Sequence, residues 1–275
     1  MPAPRSRTGR RRLGPWYPLL VGGVVAGLAA PAALAADPGT QDTKPRPNTA
    51  PDAALLQAAK QAKQSGRRVE VQSQRTATAR VYANPSGTYT TELRLPDTRA
   101  PRGGVGLWTS VNKRYPNTKY WNRTGKVARV GHENQSGGTW RSYITMNTRD
   151  LHNTGPIRSA RFRILNTYSW SCAARPVQIR DTNTVDENTT WNSTVNRNWD
   201  RYKVLDTVNA AKGHDANRCP AGNLYFRVTD SAKAAQKYKW RTMTLGLGAQ
   251  NENDTYGWKK FDATTSTLIV DWARH

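Results

Sequence analysis

Residues 245–272 read LGLGAQNENDTYGWKKFDATTSTLIVDW and contain the pattern that decides the fold. At the start of this stretch Leu245 and Leu247 alternate with glycine, and near its end Leu268 and Val270 alternate with other residues. A period of two is the spacing of a β-strand that buries one face. The stretch therefore predicts two strands joined by a polar connection.

The same alternation recurs through most of the chain after residue 105. Gly, Asn and Asp cluster between the alternating runs, and a helical turn is expected only around residues 231–239. Half-buried antiparallel strands produce this pattern, so the predicted fold class is an all-β sandwich. The further alternating positions are Ser142, Ile144 and Met146; Ala160, Phe162 and Ile164; Val177 and Ile179; Leu224, Phe226 and Val228; and Trp272.

The N-terminal region has the composition of an export signal. Five arginines precede an apolar run over residues 19–34, and this run ends in Ala33-Leu34-Ala35. That order is typical of a secretory signal peptide with an A-x-A cleavage site. Glycine and proline interrupt the run, which favours cleavage over a retained transmembrane anchor. We expect residues 1–36 to be a signal peptide and the protein to be secreted, extracellular or associated with the cell wall, by the general or the twin-arginine route.

Three further segments are predicted from composition. Residues 37–52 contain four prolines and few large apolar side chains, which indicates a disordered linker. Gly66 is placed to end an alanine-rich helix, and the sequence NPSG at residues 84–87 lies between two β-rich runs. Residues 53–100 are therefore interpreted as a small helix-plus-hairpin appendage, and residues 105–275 as the main domain.

The two cysteines, Cys172 and Cys219, form an even pair in a chain predicted to be exported. Disulfides form in oxidising compartments, so a bond between them is expected. Closing the loop between them would stabilise the fold by about 4 kcal/mol. A catalytic cysteine is not favoured, because neither cysteine lies in a known nucleophile motif.

The chain is strongly basic. It has 42 Lys and Arg against 19 Asp and Glu, and after removal of residues 1–36 the count becomes 37 against 19, a net charge of +18. Such a charge attracts polyanions, which outside a cell include anionic wall polymers and acidic polysaccharides. The basic residues are scattered along the predicted strands with no basic arm, so specific nucleic-acid binding is not expected.

Tryptophan is abundant, with ten in the chain and nine after signal cleavage. Indole and phenol rings bind sugars because their apolar faces match the C–H face of a pyranose. The alternative is that each ring fills the core. Trp108, Tyr115, Tyr120 and Trp121 fall in a loop-rich stretch and are the candidate ligand-binding residues.

No catalytic residues are predicted, and the protein is not expected to be an enzyme. The four histidines lack a zinc-binding spacing, and no G-x-S-x-G sequence occurs. Glu252 and Asp254 offer hard oxygen donors, which makes a structural calcium a candidate. The alternative is that they are turn residues. No other cofactor is expected.

Several motifs together resemble the DNRLRE domain of secreted actinobacterial proteins. They are RSYITMN, SARFRILNTYSWSCAARPVQI, TTWN and the stretch at residues 245–272, and the resemblance covers residues 130–272. It implies a jelly-roll-like antiparallel β-sandwich that serves as a non-catalytic module, with some relatives linked to carbohydrate binding. It also implies that residues 250–262 connect two core strands, with Trp258 and Phe261 directed inward.

We therefore expect a secreted, non-catalytic module that binds extracellular or cell-wall polysaccharide with a large electrostatic contribution. One alternative is a structural spacer or a truncated piece of a multidomain secreted protein. A glycan-active hydrolase is less favoured, because it rests only on scattered carboxylates.

Overall fold

The computed structural model describes residues 50–72, 78–95, 107–121, 127–194, 199 and 203–274. The predicted signal peptide (1–36), nearly all of the predicted linker (37–52) and the predicted domain junction (96–104) lie outside the described residues. The described ranges belong to one compact unit, residues 47–275. Among the described helices, none has the length and apolar character needed to span a bilayer.

The described residues form twelve strands and three α-helices, which confirms the predicted all-β class. The helices are α1 (Ala50–Ser65), α2 (Trp191–Thr194) and α3 (Thr229–Lys237). The strands are β1 (Val69–Glu70), β2 (Ala79–Ala83), β3 (Tyr89–Arg94), β4 (Trp108–Asn112), β5 (Val127–Glu133), β6 (Gly138–Asn147), β7 (Ile157–Ser169), β8 (Arg175–Thr182), β9 (Val204–Ala210), β10 (Gly222–Arg227), β11 (Thr242–Ala249) and β12 (Lys259–Trp272).

The strands pair antiparallel and lie in two layers. The first layer has the order β1-β2-β3-β12-β7-β10, and the second has the order β4-β6-β11-β8-β9. Strand β5 belongs to both layers, because its first half pairs with β12 and its last three residues pair with β6. The strands therefore form one curled sheet that folds over a core, as expected of a β-sandwich.

The core lies between the two layers. Phe162 and Ile164 from the first layer and Ile179, Leu245 and Leu247 from the second have no exposed surface. Every position that the period of two assigns to an inner face is buried. The alternation in the sequence thus identified the buried positions of these strands correctly.

The outer face of the second layer is covered by the chain that follows β8. Val185, Trp191 and Trp199 pack on Val111 and Tyr143 to form a second apolar cluster. Strand β6 is consequently buried on both faces along most of its length. The outer face of the first layer has no such cover among the described residues, and its outward-facing side chains are partly exposed.

The N-terminal helix and hairpin form as predicted. Helix α1 ends before Gly66, which has a φ of 65°. In the hairpin turn Gly87 has a φ of 79° and donates to the carbonyl of Asn84. Strand β3 then pairs with β12, so the hairpin is continuous with the first layer. Tyr89 stacks on Trp272 at 4.7 Å, and the two rings join the cluster beneath α1.

Two further predictions are confirmed in this part of the structure. Cys172 and Cys219 are bonded, with 5.8 Å between their Cα atoms, and they tie the end of β7 to the loop before β10. The predicted connection between two core strands joins β11 to β12 over residues 250–258, residues 259–262 already belong to β12, and Trp258 and Phe261 are buried.

Candidate functional site

Five arginines share the outer face of the first layer. They are Arg80, Arg94, Arg161, Arg163 and Arg227, and we call this surface the arginine face. On β7 the sequence Arg161-Phe162-Arg163-Ile164 alternates, so the apolar side chains enter the core and the guanidinium groups point outward. The same alternation on the neighbouring strands directs the other three arginines to the same side.

The strand register aligns these residues in two adjacent rows. The first row runs across four strands through Arg94, Thr267, Arg163 and Tyr225. The second runs across five strands through Arg80, Glu92, Ile269, Arg161 and Arg227. Neighbouring strands lie about 4.8 Å apart, so the second row extends over about 19 Å.

The carboxylates on this face are already engaged. Glu92 accepts from Arg68 at 2.9 Å and from Arg94 at 3.5 Å. Asp271 accepts from the hydroxyls of Thr90 at 2.6 Å and Ser159 at 2.9 Å.

The guanidinium groups of three of these arginines have no carboxylate partner among the described residues, although Asp206 accepts from the backbone N–H of Arg227 at 2.7 Å. Among the described residues, no acidic side chain lies within ion-pair distance of Arg80, Arg163 or Arg227. Arg163 instead donates to the hydroxyl of Thr267 at 3.1 Å. The face therefore carries an excess of positive charge.

A shallow cleft of about 430 Å³ lies in the first row. Guanidinium groups and hydroxyls together can hold a carboxylate, sulfate or phosphate by charge-assisted hydrogen bonds. Arginine is suited to this because its planar group donates two parallel bonds to one anion. The cleft is lined by Arg94, Arg163, Leu165, Asn223, Thr264, Thr265 and Thr267.

The four aromatic residues predicted to bind a ligand are not gathered in one platform. Trp108 is only 1% exposed and packs in the main core, because it is the first residue of β4 and lies opposite Ile144. The prediction that Trp108 lies in a loop and is open to a ligand is therefore corrected, since the loop begins only after β4.

The other three of these residues lie in the loop after β4. Tyr115 is 49% exposed. Tyr120 meets the edge of Trp140 at 4.9 Å, and Trp121 packs on the cluster that contains Trp191. Tyr115 is thus the member of the predicted set with the most open ring.

The two carboxylates predicted as calcium ligands bind arginines. Arg141 donates through Nε and Nη2 to the two oxygens of Glu252, at 2.7 and 2.9 Å. Arg175 donates to Asp254 at 2.8 Å, and Asp254 also accepts from the backbone of Tyr256 at 2.9 Å. Arginine cations thus balance both charges. In the described ranges no cluster of three His, Cys, Asp or Glu side chains is suited to a metal ion.

Sequence reasoning did not find the arginine face. The outward phase of Arg161 and Arg163 was readable from their alternation with Phe162 and Ile164. Their proximity to Arg94 and Arg227 depends on strand order, which the sequence does not show.

Comparison with protein-family models and with curated proteins finds no match for this chain. The resemblance to the DNRLRE domain therefore stays a prediction from sequence motifs.

Proposed function

We propose that the protein is a secreted, non-catalytic module that binds anionic extracellular or cell-wall polysaccharide through the arginine face. The observation that carries the proposal is the set of five arginines on one sheet face beside two carboxylates that are already engaged. The predicted signal peptide and the Cys172–Cys219 bond agree with a protein that works outside the cell.

An open, basic sheet face suits a linear polyanion. Along the rows the arginines stand one to three strands apart, so one chain can contact several guanidinium groups at once. Because the arginines are rooted in paired strands, their backbone is already ordered before binding and less entropy is lost. Charge of this kind also attracts the polymer from a distance at low salt.

The experiment compares two triple variants that remove the same charge. In the first, Arg94, Arg163 and Arg227 are changed to glutamine on the face. In the control, exposed Lys60, Lys63 and Arg218, which lie away from the face, are changed to glutamine. The probes are purified cell walls that contain anionic polymers and soluble polygalacturonate. Binding is measured by sedimentation with walls and by calorimetry with the soluble polymer.

We expect the first variant to bind at least about tenfold more weakly than the control, which corresponds to about 1.4 kcal/mol. Wild-type binding should also fall strongly between 0.1 and 1 M salt, because the Debye length shortens from about 10 Å to about 3 Å. Equal binding by both variants, or binding that is unchanged at 1 M salt, would exclude the arginine face as the binding surface.

A further inference from the structure

A second surface lies at one edge of the sandwich, where β8 meets β9, α3 and the start of β11. Two clefts of about 650 and 540 Å³ meet there, and Asp181 lines both of them. We call the two clefts together the Asp181 groove. Volumes in this range accommodate a small-molecule ligand or one to two sugar units. Of the residues that line this groove, the proposed function uses only Arg227.

An aromatic pair stands beside the groove. Trp240 lines the smaller cleft and is 41% exposed, and Tyr238 is 61% exposed. Their ring centres are 6.0 Å apart and their planes differ by 23°, so the two rings form an open stacked surface. Large apolar rings with this exposure lose the stabilisation that burial would provide.

The backbone beneath the pair is firmly held. The N–H of Trp240 donates to Ala235 at 2.9 Å, and its carbonyl accepts from Thr148 at 2.7 Å and lies 2.8 Å from Nε2 of His152. Between the two rings Lys239 adopts a φ of 54°, which is unfavourable for a residue other than glycine. The hydrogen bonds of the turn therefore hold the indole of Trp240 in its exposed position. Strained backbone of this kind concentrates at binding sites.

The groove itself presents oxygen acceptors and hydroxyl groups. The hydroxyl of Ser231 donates to one oxygen of Asp181, and within the described ranges the other oxygen has no donor. Burial raises the pKa of Asp181. The hydrogen bond from Ser231 opposes this shift, and the nearby charge of Asp230 adds to it. Thr182 and Thr184 extend the polar wall toward Trp240.

We propose that the Asp181 groove binds a neutral, hydroxyl-rich glycan, with a pyranose ring on Trp240 and a sugar hydroxyl donating to Asp181. The aromatic face matches the apolar C–H face of a pyranose, and the carboxylate accepts from a hydroxyl. The lining sets Asp181 and Asp230 against Lys203, Arg227 and Arg241, so the groove lacks a strong net charge, and Asp181 disfavours an acidic group at its own position. The groove shares Arg227 with the arginine face but adds an open aromatic ring and carboxylates, so the two sites would select different parts of a polysaccharide matrix.

The test uses the mature protein and six neutral hexasaccharides: β-1,4-glucan, chitin, xylan, mannan, β-1,3-glucan and α-1,4-glucan oligomers. Calorimetry and tryptophan fluorescence are recorded at 1 M salt, where contacts between exposed charges are screened. We expect at least one oligomer to bind with a Kd of about 1 mM or tighter, the range of about −4 kcal/mol. Trp240→Ala should weaken this binding at least about tenfold.

Two further variants complete the test. Asp181→Asn should weaken binding, because its one acceptor oxygen is taken by Ser231 and the sugar hydroxyl then meets an N–H donor in place of the second carboxylate oxygen. Tyr256→Ala removes an aromatic ring of similar exposure, 47%, at a distant loop and should change nothing. A variant with only Arg94→Gln and Arg163→Gln, which leaves the groove-lining Arg227 in place, should bind the oligomer normally, so failure of the arginine face and failure of this groove are distinguishable. Absence of binding to all six oligomers, or equal binding by Trp240→Ala, overturns the proposal.

Discussion

A methyl group on Gly248 would lie 2.2 Å from Cζ2 of Trp199, so the indole rests directly on the backbone of β11. A methyl group on Gly246 would lie 3.1 Å from Cζ3 of the same ring. Carbon atoms in contact are normally about 3.5–4.0 Å apart. The sequence Leu-Gly-Leu-Gly therefore has two functions: its leucines enter the core and its glycines seat a tryptophan on the outer face.

Gly248→Ala should destabilise the protein by about 1–3 kcal/mol, because the added methyl displaces Trp199 from its position against β11. Urea denaturation measures the change in the free energy of unfolding. Gly222→Ala is the control, since its new methyl would meet only the flexible end of Lys212 at 3.4 Å. The control should change the free energy of unfolding by less than about 0.5 kcal/mol. Equal stability of the two variants would show that the indole does not depend on the glycine.

The contact of Trp199 with Gly246 and Gly248 illustrates what the sequence could and could not reveal. The inward phase of Leu245 and Leu247 follows from local periodicity, and so the strand was predicted correctly. The reason for Gly248 depends on Trp199, which is distant in sequence and reaches β11 only after the chain has folded over the second layer. Periodicity reports which face a residue occupies but not what covers that face.

The disulfide and the binding surfaces show the same difference between what a local sequence pattern reveals and what depends on the folded arrangement of the strands. Cys172 and Cys219 were paired correctly because two cysteines allow one intramolecular bond. Trp108 was misplaced because the loop-rich composition around it hid the start of β4. The arginine face and the Asp181 groove each combine side chains from several strands, so their recognition required strand order and register.

Glu252→Gln should destabilise the protein by about 2–4 kcal/mol, because it leaves the guanidinium of Arg141 without its charge partner. The Arg141 side chain is 9% exposed and lies between the rings of Trp191 and Trp199, at 4.4 and 4.5 Å from their centres. Water cannot readily replace the lost carboxylate there. Thermal and urea unfolding both measure the effect.

The control for this ion pair is Asp215→Asn. Its partner Arg218 is 74% exposed, so solvent screens this ion pair and its loss should change the stability little. If Glu252→Gln lowers the free energy of unfolding no more than Asp215→Asn does, the role assigned to the buried guanidinium of Arg141 is contradicted.

Replacing Cys172 and Cys219 by serine should lower the free energy of unfolding by about 4 kcal/mol, because the unfolded chain regains the entropy of a long loop. Comparing the double variant with the oxidised wild type in urea measures this loss. The reduced wild type should behave like the double variant. Two free thiols in the folded protein would contradict the bond.

Lys259 carries a charge that the fold does not compensate. Its side chain has no exposed surface, and among the described residues no acceptor reaches its Nζ. Burial, and then the charge of Arg175, lower the pKa of this lysine to about 8, while Asp254 opposes the shift. A shift from 10.5 to about 8 costs about 3 kcal/mol when the amine is protonated. Lys259→Met should therefore stabilise the protein at pH 7 by about 1–3 kcal/mol.

The wild-type protein should become more stable as pH rises from 8 to 10. In that window the folded lysine has released its proton while the unfolded lysine, with a pKa of 10.5, still holds one. The unfolded chain binds more protons there, so its free energy rises relative to the folded state. Burial raises the pKa of Tyr143 to about 12, which acts in the opposite direction above pH 10. Urea unfolding of wild type and Lys259→Met should converge between pH 8 and 10, and a constant difference would show that Lys259 keeps its proton when folded.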